Sequence, residues 1–243
     1  MMTDILTVIW KEWREWFFTD GNRRSGVWNA LIMLAISGIL FPMQAGREWF
    51  KSWMTVYSAC FPLITVLNLT ADAFAGERER HTLETLLASR LPDRAILFGK
   101  ILAAVGYGWG LTLVGIPVAF FFVNLFAGSG PWVFYPLEIG LSVVTLSLLA
   151  GTLIASTGVL FSLNAPTVRQ AGQRLIIPFI VVFALPGLLP VILPRLSETW
   201  TQNLMQIEPV QVVLALGMIF LIANVVLLTI ALARFRRARL ILD

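Results

Sequence analysis

Charge is what this chain has least of. Asp, Glu, Lys and Arg make up 13% of its 243 residues, about half the share of a soluble globular domain. Hydrophobic residues make up 58%, and the mean hydropathy is +0.81. That balance excludes an ordinary soluble domain and points to a polytopic membrane protein. The net charge of +4 and the pI near 9.7 therefore mark membrane-flanking loops, not a nucleic-acid partner. The single cysteine, Cys60, lies in an apolar run, which excludes a disulfide within the chain and a cysteine-based metal site. One histidine, and no H-E-x-x-H or C-x-x-C, excludes an ordinary catalytic metal centre. The G-x-x-x-x-G-K-[ST] phosphate loop is missing as well. Gly99-Lys100 is followed by Ile101, and the residue five before Gly99 is Arg94. No LSGGQ-like stretch is present. The chain is expected to be no enzyme and to bind no cofactor of its own, so any chemical energy must come from a separate polypeptide. The start, MMTDILTVIWKEWREWFF, is broken by acid and base too early for a signal peptide and is expected to be retained.

What is present is apolar length. A helix needs about 20 mainly apolar residues to cross a bilayer. Six stretches qualify: Val27–Met43, Trp53–Ala75, Ile101–Phe126, Leu137–Leu163, Leu175–Leu193 and Val212–Ala233. The first is short. The fifth contains Pro178, Pro186 and Pro190, which imply kinks or a break. With the N-terminus inside, residues 1–26, 76–100, 164–174 and 234–243 lie in the cytoplasm. Those segments hold 15 of the 18 Lys and Arg, leaving only Arg47, Lys51 and Arg195 outside. This asymmetry predicts a protein of the cytoplasmic membrane with both termini on the cytoplasmic side, consistent with six spans. The fold class is thus all-α, a single membrane domain of six transmembrane helices.

Residues 3–20 form a further helix that does not span. At 100° per residue, Ile5, Leu6, Ile9, Trp10, Trp13, Trp16 and Phe17 fall within about 140°. Thr7, Lys11, Arg14 and Glu15 take the opposite side, and Glu12 falls near the boundary. Such a helix lies in the interface with its indoles at headgroup level. It serves either as an anchor alone or as an elbow that also meets a cytoplasmic partner.

Between the second and third spans, "FAGERERHTLETLLASRLPDRAILFGK" packs nine charged residues and the only histidine into residues 74–100. Leu83, Leu86 and Leu87 recur at i, i+3, i+4 and give one apolar stripe. Glu77, Arg78, Glu79, Arg80 and Glu84 supply charge before and along it. Pro92 suits the first turn of a following helix. A short charged helix with a leucine stripe, held between two spans, is shaped for docking on a protein; a solvated turn is the alternative.

The run from Gly76 through Arg80, then Thr82, Leu83, Glu84, Leu86, Leu87, Ser89, Gly99 and Lys100, resembles the signature segment of ABC-2 type transporter permeases. His81 stands where that family usually has a small residue, often Gly, and Arg90-Leu91-Pro92 lengthens its usual Ser-Pro turn. The resemblance implies a coupling helix in residues 76–100 that docks on a cytoplasmic ATPase subunit, where ATP and Mg would bind. Glu77, Arg78, Glu79, Arg80, Thr82 and Glu84 would meet that ATPase. The three leucines would pack either on it or on the N-terminal helix. The resemblance also implies a short re-entrant or interfacial helix pair in residues 194–211; a plain loop is the alternative. Two permease copies, each embedded in the lipid bilayer, would pair with two ATPase subunits.

Few polar residues enter the spans. Asp72, near Asn68 and Thr70, either lines a transport pathway or lies at the interface. Asn224 is better placed for a bond between helices. Gly106, Gly108, Gly110, Gly151 and Ala155 read as helix contacts rather than a pore lining. The reading is an ATP-driven exporter's membrane subunit. Two rivals stay open: a secondary transporter or channel without an ATPase, and an assembly scaffold such as a haem-export-like subunit. The topology is testable by labelling single cysteines placed at Gly46, Ser129, Gly172 and Arg236. The first two should react from outside and the last two only from inside; external labelling at Arg236 would contradict the topology.

Overall fold

The computed structural model describes residues 1–18, 23–52, 54–126, 130–192 and 209–235. Within these, the described side chains exclude those of residues 18, 23–25, 87, 181–192 and 209. Residues 194–208 of the outer segment, Arg195 and the basic run 236–239 fall outside the described residues. Among the described residues the chain is helical and contains no strand.

The first helix, α1, spans Met2–Phe18. Next, α2 spans Arg23–Ala35 and widens into a π-turn at Ile36–Leu40. Pro42 explains the widening. It has no N–H to continue an α register, and its ring would press on the preceding turn. The Phe41 N–H instead reaches the Ile36 carbonyl. A short α3, Phe41–Ala45, stops at Gly46, whose φ of +58° suits glycine. A 3-10 turn, Gly46–Lys51, then buries Trp49 and Phe50.

The second span is broken too. Helix α4, Met54–Ser58, and the 3-10 turn Phe61–Leu63 precede α5, Ile64–Glu79. Pro62 sits in the break, and Thr112 donates its hydroxyl to the Ala59 carbonyl at 2.9 Å. A side chain that takes over a freed carbonyl lets a break persist at membrane depth. The two breaks adjoin: Phe41 and Phe61 meet edge to face at 5.1 Å.

After the six-residue α6, Leu83–Ala88, come α7, Asp93–Phe126, α8, Leu137–Asn164, α9, Val168–Ile192, and α10, Pro209–Arg234. Among the described residues, five helical stretches are long and apolar enough to cross a membrane: Gly26–Lys51, Met54–Glu79, Asp93–Phe126, Leu137–Asn164 and Val210–Arg234. Helix α9 has 25 residues, about 37 Å of helix. At 34 residues, α7 runs about 51 Å and so exceeds a hydrocarbon core of about 30 Å.

Helices α5, α7 and α8 form the centre, with α1 laid along α7, α9 on α5 and α8, and α10 on α8. Their shared core holds Leu63, Val66, Phe74, Ile96, Leu97, Ile101, Ala155 and Val159. Gly108 allows one close approach, because a Cβ there would strike Val66. Gly110 faces open space, so the small-residue reading holds for the first glycine and not the second. Asn224 donates to the Leu149 carbonyl at 2.9 Å and ties α10 to α8. At the end of the bundle away from α1, Trp49 donates its indole N–H to the Tyr135 hydroxyl at 3.2 Å. There Asn124 also clamps Val133 through two bonds.

Helix α5 ends in a Schellman cap. The Thr82 N–H reaches the Glu77 carbonyl at 2.9 Å and the His81 N–H reaches Arg78 at 3.1 Å. His81 therefore takes φ +57°, among the described residues the one non-glycine with positive φ. A residue with a Cβ is strained there by about 1 kcal/mol or more, which is why glycine is usual in this place. Thermal midpoints in detergent should rank His81→Gly at or above wild type and His81→Val below it. A Val variant as stable as wild type would contradict the cap.

Candidate functional site

The end of the bundle that carries α1 and α6 concentrates the described charge. Helix α1 presents Ile5, Val8, Glu12 and Trp16 to the protein, and all four are buried. This stripe has spacings of three and four, so it forms one face. Helix α1 can lie close because Val8 rests on Gly99, where a Cβ would come 2.5 Å from the Val8 Cβ. One residue on, Lys100 projects from α7 with 3% of its surface exposed. Its ammonium meets Glu12 at 2.7 Å and Glu77 at 3.4 Å and lies 5.5 Å from the Phe74 ring centroid.

Glu77, 4% exposed, also accepts from Lys11 at 2.8 Å and from the Thr82 hydroxyl on its other oxygen. Glu77 and Thr82 are the two positions of the Schellman cap that commonly make an apolar contact. Here a polar contact replaces it and aims the carboxylate at the lysines. Lys11 reaches Glu15 at 3.1 Å as well. Burial alone would lower the Lys11 pKa, but the carboxylates of Glu12, Glu77 and Glu15 outweigh burial and raise it above the usual lysine range. The ammonium thus stays charged at every physiological pH. Carboxylate oxygens of Glu12, Glu15 and Glu77 lie within 4.8 Å of one another, a spacing that would suit a cation. Lys11 and Lys100 already supply the positive charge.

The other charges of the 77–80 run find partners within the chain. Arg78 donates to the carbonyls of Leu163 and Ala165, at 3.1 and 2.6 Å, and so closes the end of α8. Glu79 accepts from the Val168 N–H at 2.9 Å and caps the start of α9. Arg80 pairs with Asp72 at 3.2 Å. That pair lies over Gly76, where a Cβ would strike the Asp72 carboxylate.

Several expectations change here. Residues 76–79 belong to the end of α5 and 93–100 to the start of α7, so only Leu83–Ala88 stands as a helix of its own. Glu77 is buried, not displayed. Leu83 is buried in the shared core with Leu86 packed against it, and the Leu87 side chain lies outside the described residues. Glu84 and Thr85 remain exposed. The tryptophans of α1 do not share one lipid-facing arc. Trp10 is exposed with Arg14 over its ring at 5.1 Å. Trp13 donates its indole N–H to the Ala103 carbonyl at 3.0 Å. Trp16 and Phe17 pack on Tyr107 at 6.1 and 5.4 Å. Sequence reading missed Glu12 and Lys100 as a pair; the signal was a carboxylate on the apolar stripe of α1.

Beside this cluster opens a cleft of about 1030 Å³, lined in part by Asn29, Asn68, Asp72, Arg80, Trp16 and Tyr107. Asp72 and Asn68 thus share one surface, while Asn224 lies apart in the α8–α10 contact.

The family model for ABC-2 family transporter proteins matches residues 19–240. This chain belongs to that family. No curated protein matches it. As an ABC-2 family transporter protein it is a multi-pass membrane component of a transport system. Glu77 and Lys100 fall inside the matched region, whereas Lys11 and Glu12 precede it.

Removing one partner of a buried ion pair costs about 3–5 kcal/mol, because the other charge is stranded. Lys100→Met and Glu12→Met should each lower the thermal midpoint in detergent. The double variant should lose clearly less than both losses added. Additive losses would contradict the pairing.

Proposed function

We propose that this chain is the membrane subunit of an ATP-binding-cassette exporter, coupled to a separate cytoplasmic ATPase that carries ATP and Mg. In this reading α9 is the fifth of six spans, both termini are cytoplasmic, and the end bearing α1 and α6 faces the cytoplasm. Two copies pair, since one six-span chain is small to enclose a pathway and two-fold assembly is the commonest closed form. The chain contributes no nucleotide chemistry, having no phosphate loop. What carries the reading is α6, a short helix fastened by Leu83 and Leu86 to the core, with Glu84 and Thr85 left exposed. It sits between the ends of two long helices, where movement imposed on it reaches both.

The ion cluster supports the elbow reading of α1. Docking on α6 moves Thr82 and Glu77, and Glu77 is held to α1 through Lys11 and to α7 through Lys100. ATP shifts the conformational equilibrium only through contacts that differ between the two states. In this reading those contacts are made on α6 and reach the spans through the cluster. The charges of residues 77–80 shape the docking surface from within, while Glu84 faces the partner.

Co-purification of the ATPase with the tagged full chain tests this. Glu84→Arg should reduce recovered ATPase about tenfold, as a like charge is set against the partner, with the thermal midpoint unchanged. Full recovery with Glu84→Arg would place docking elsewhere. No ATPase with the wild-type chain would favour a transporter without one or an assembly scaffold.

A further inference from the structure

Helix α5 is entered by a side chain of another helix. The Ser162 hydroxyl of α8, wholly buried, accepts from the Phe74 N–H at 3.0 Å and the Ala75 N–H at 2.9 Å and donates to the Ala71 carbonyl at 2.9 Å. Ala75 and Ala71 are the kind of pair, four residues apart, that an unbroken α-helix joins directly. A side chain set into that ladder bends a helix. One turn earlier, Thr70 turns its own hydroxyl back to the Val66 carbonyl at 2.8 Å, a bond that also loosens and bends helices. Gly158 lets α8 come this close, since a Cβ there would strike the Thr70 hydroxyl. Ser162 is unlike other hydroxyls of α8. Ser142, Thr145, Thr152 and Thr157 each donate to the carbonyl four residues before them. Ser162 leaves its own such carbonyl, on Gly158, and crosses to α5.

This point divides α5 into parts that are held differently. Past it, Glu77, Arg78 and Glu79 fasten the helix to α1, α7, α8 and α9. Before it, residues 64–70 follow the break at residues 59–63, where Thr112 of α7 holds the Ala59 carbonyl. Residues 64–70 thus stand between two interruptions, each met by a hydroxyl of a neighbouring helix. We propose that residues 71–75 are a joint, held open by Ser162, about which residues 64–70 tilt against the fastened end of α5. Withdrawn, the hydroxyl takes the Gly158 carbonyl as its α8 neighbours take theirs, and the Ala75 N–H returns to the Ala71 carbonyl. Bonds lost on one side are matched by bonds made on the other, so the two arrangements lie close in free energy. The use of the joint in carrying movement from α6 into the spans rests on the exporter reading, but the joint itself belongs to the chain alone.

The test uses the full chain in detergent, without ATPase, in a Cys60→Ser background, with spin labels on Asn68→Cys and Ala88→Cys. Both positions are exposed and lie on opposite sides of the joint. A bend of about 20° acting over roughly 10 Å of helix moves the far end by about 3.5 Å. Ser162→Ala removes the inserted hydroxyl, and the distance between the labels, read by pulsed electron–electron double resonance, should shift by about 3 Å or more. The thermal midpoint should stay within about 2 °C, because α5 closes its own ladder. Ser156→Ala, at an equally buried serine of α8, should leave the distance where it is. An unchanged distance in Ser162→Ala would overturn the proposal and make the hydroxyl a fixed brace. An equal shift in Ser156→Ala would overturn it too, as a general loosening of α8. Neither result bears on ATPase recovery, so the joint and the exporter reading can fail separately.

Discussion

A lysine buried at the start of a long apolar helix must be neutralised, and much of this structure follows from how Lys100 is met. An ammonium with 3% exposure is tolerable only with close counter-charges. One comes from Glu12, 88 residues away, and one from Glu77 at the end of α5. To bring Glu12 there, α1 must lie against α7, which Gly99 allows by leaving room for Val8. To bring Glu77 there, α5 must end where it does, in a cap that turns Thr82 back on the Glu77 carboxylate and holds His81 at positive φ. The Gly-Lys pair and the run from Gly76 to Thr82 are thus two halves of one contact.

The same run spreads its remaining charges to other elements. Arg78 closes α8, Glu79 opens α9, and Arg80 returns to Asp72 on its own helix. Four consecutive charged residues thereby connect α1, α5, α7, α8 and α9 at one level of the bundle. The opposite end is joined differently, by aromatic packing around Phe50, Phe120 and Tyr135. Between the ends lie the adjoining breaks at residues 36–40 and 59–63. The polar end is therefore fixed by ion pairs, and the apolar end is reached through two interrupted spans.

Five of the six expected spans, all but Leu175–Leu193, were legible because apolar length survives any packing, and the helix starts near Pro92 and Leu137 follow the sequence signals. The interruptions were less so. Pro42 and Pro62 are visible in the sequence, but whether a proline kinks, widens or breaks a span depends on which neighbour takes the freed carbonyl, and Thr112 lies 53 residues from Ala59. Pro117 lies inside α7, which continues through it. The helical wheel set Lys11, Arg14 and Glu15 apart from the apolar stripe and left Glu12 at its edge, whereas Glu12 is buried and Lys11 turns to Glu77. Burial of Glu12 is decided by Lys100, which a wheel of one helix does not contain. The charged run read as a display surface because its partners are carbonyls, a backbone N–H and distant side chains that only the fold assembles.

If the cluster is what carries motion from the docking helix to the spans, then α1 and α6 must move as one body. Pulsed electron–electron double resonance measures this, with spin labels paired at Glu15, Ala88 and Trp132 in the permease–ATPase complex carrying Cys60→Ser. The expected result is a Glu15–Ala88 distance that stays the same with and without ATP, while the distance from each to Trp132 shifts. A Glu15–Ala88 distance that changes as much as the others would contradict the elbow and leave α1 as an anchor alone.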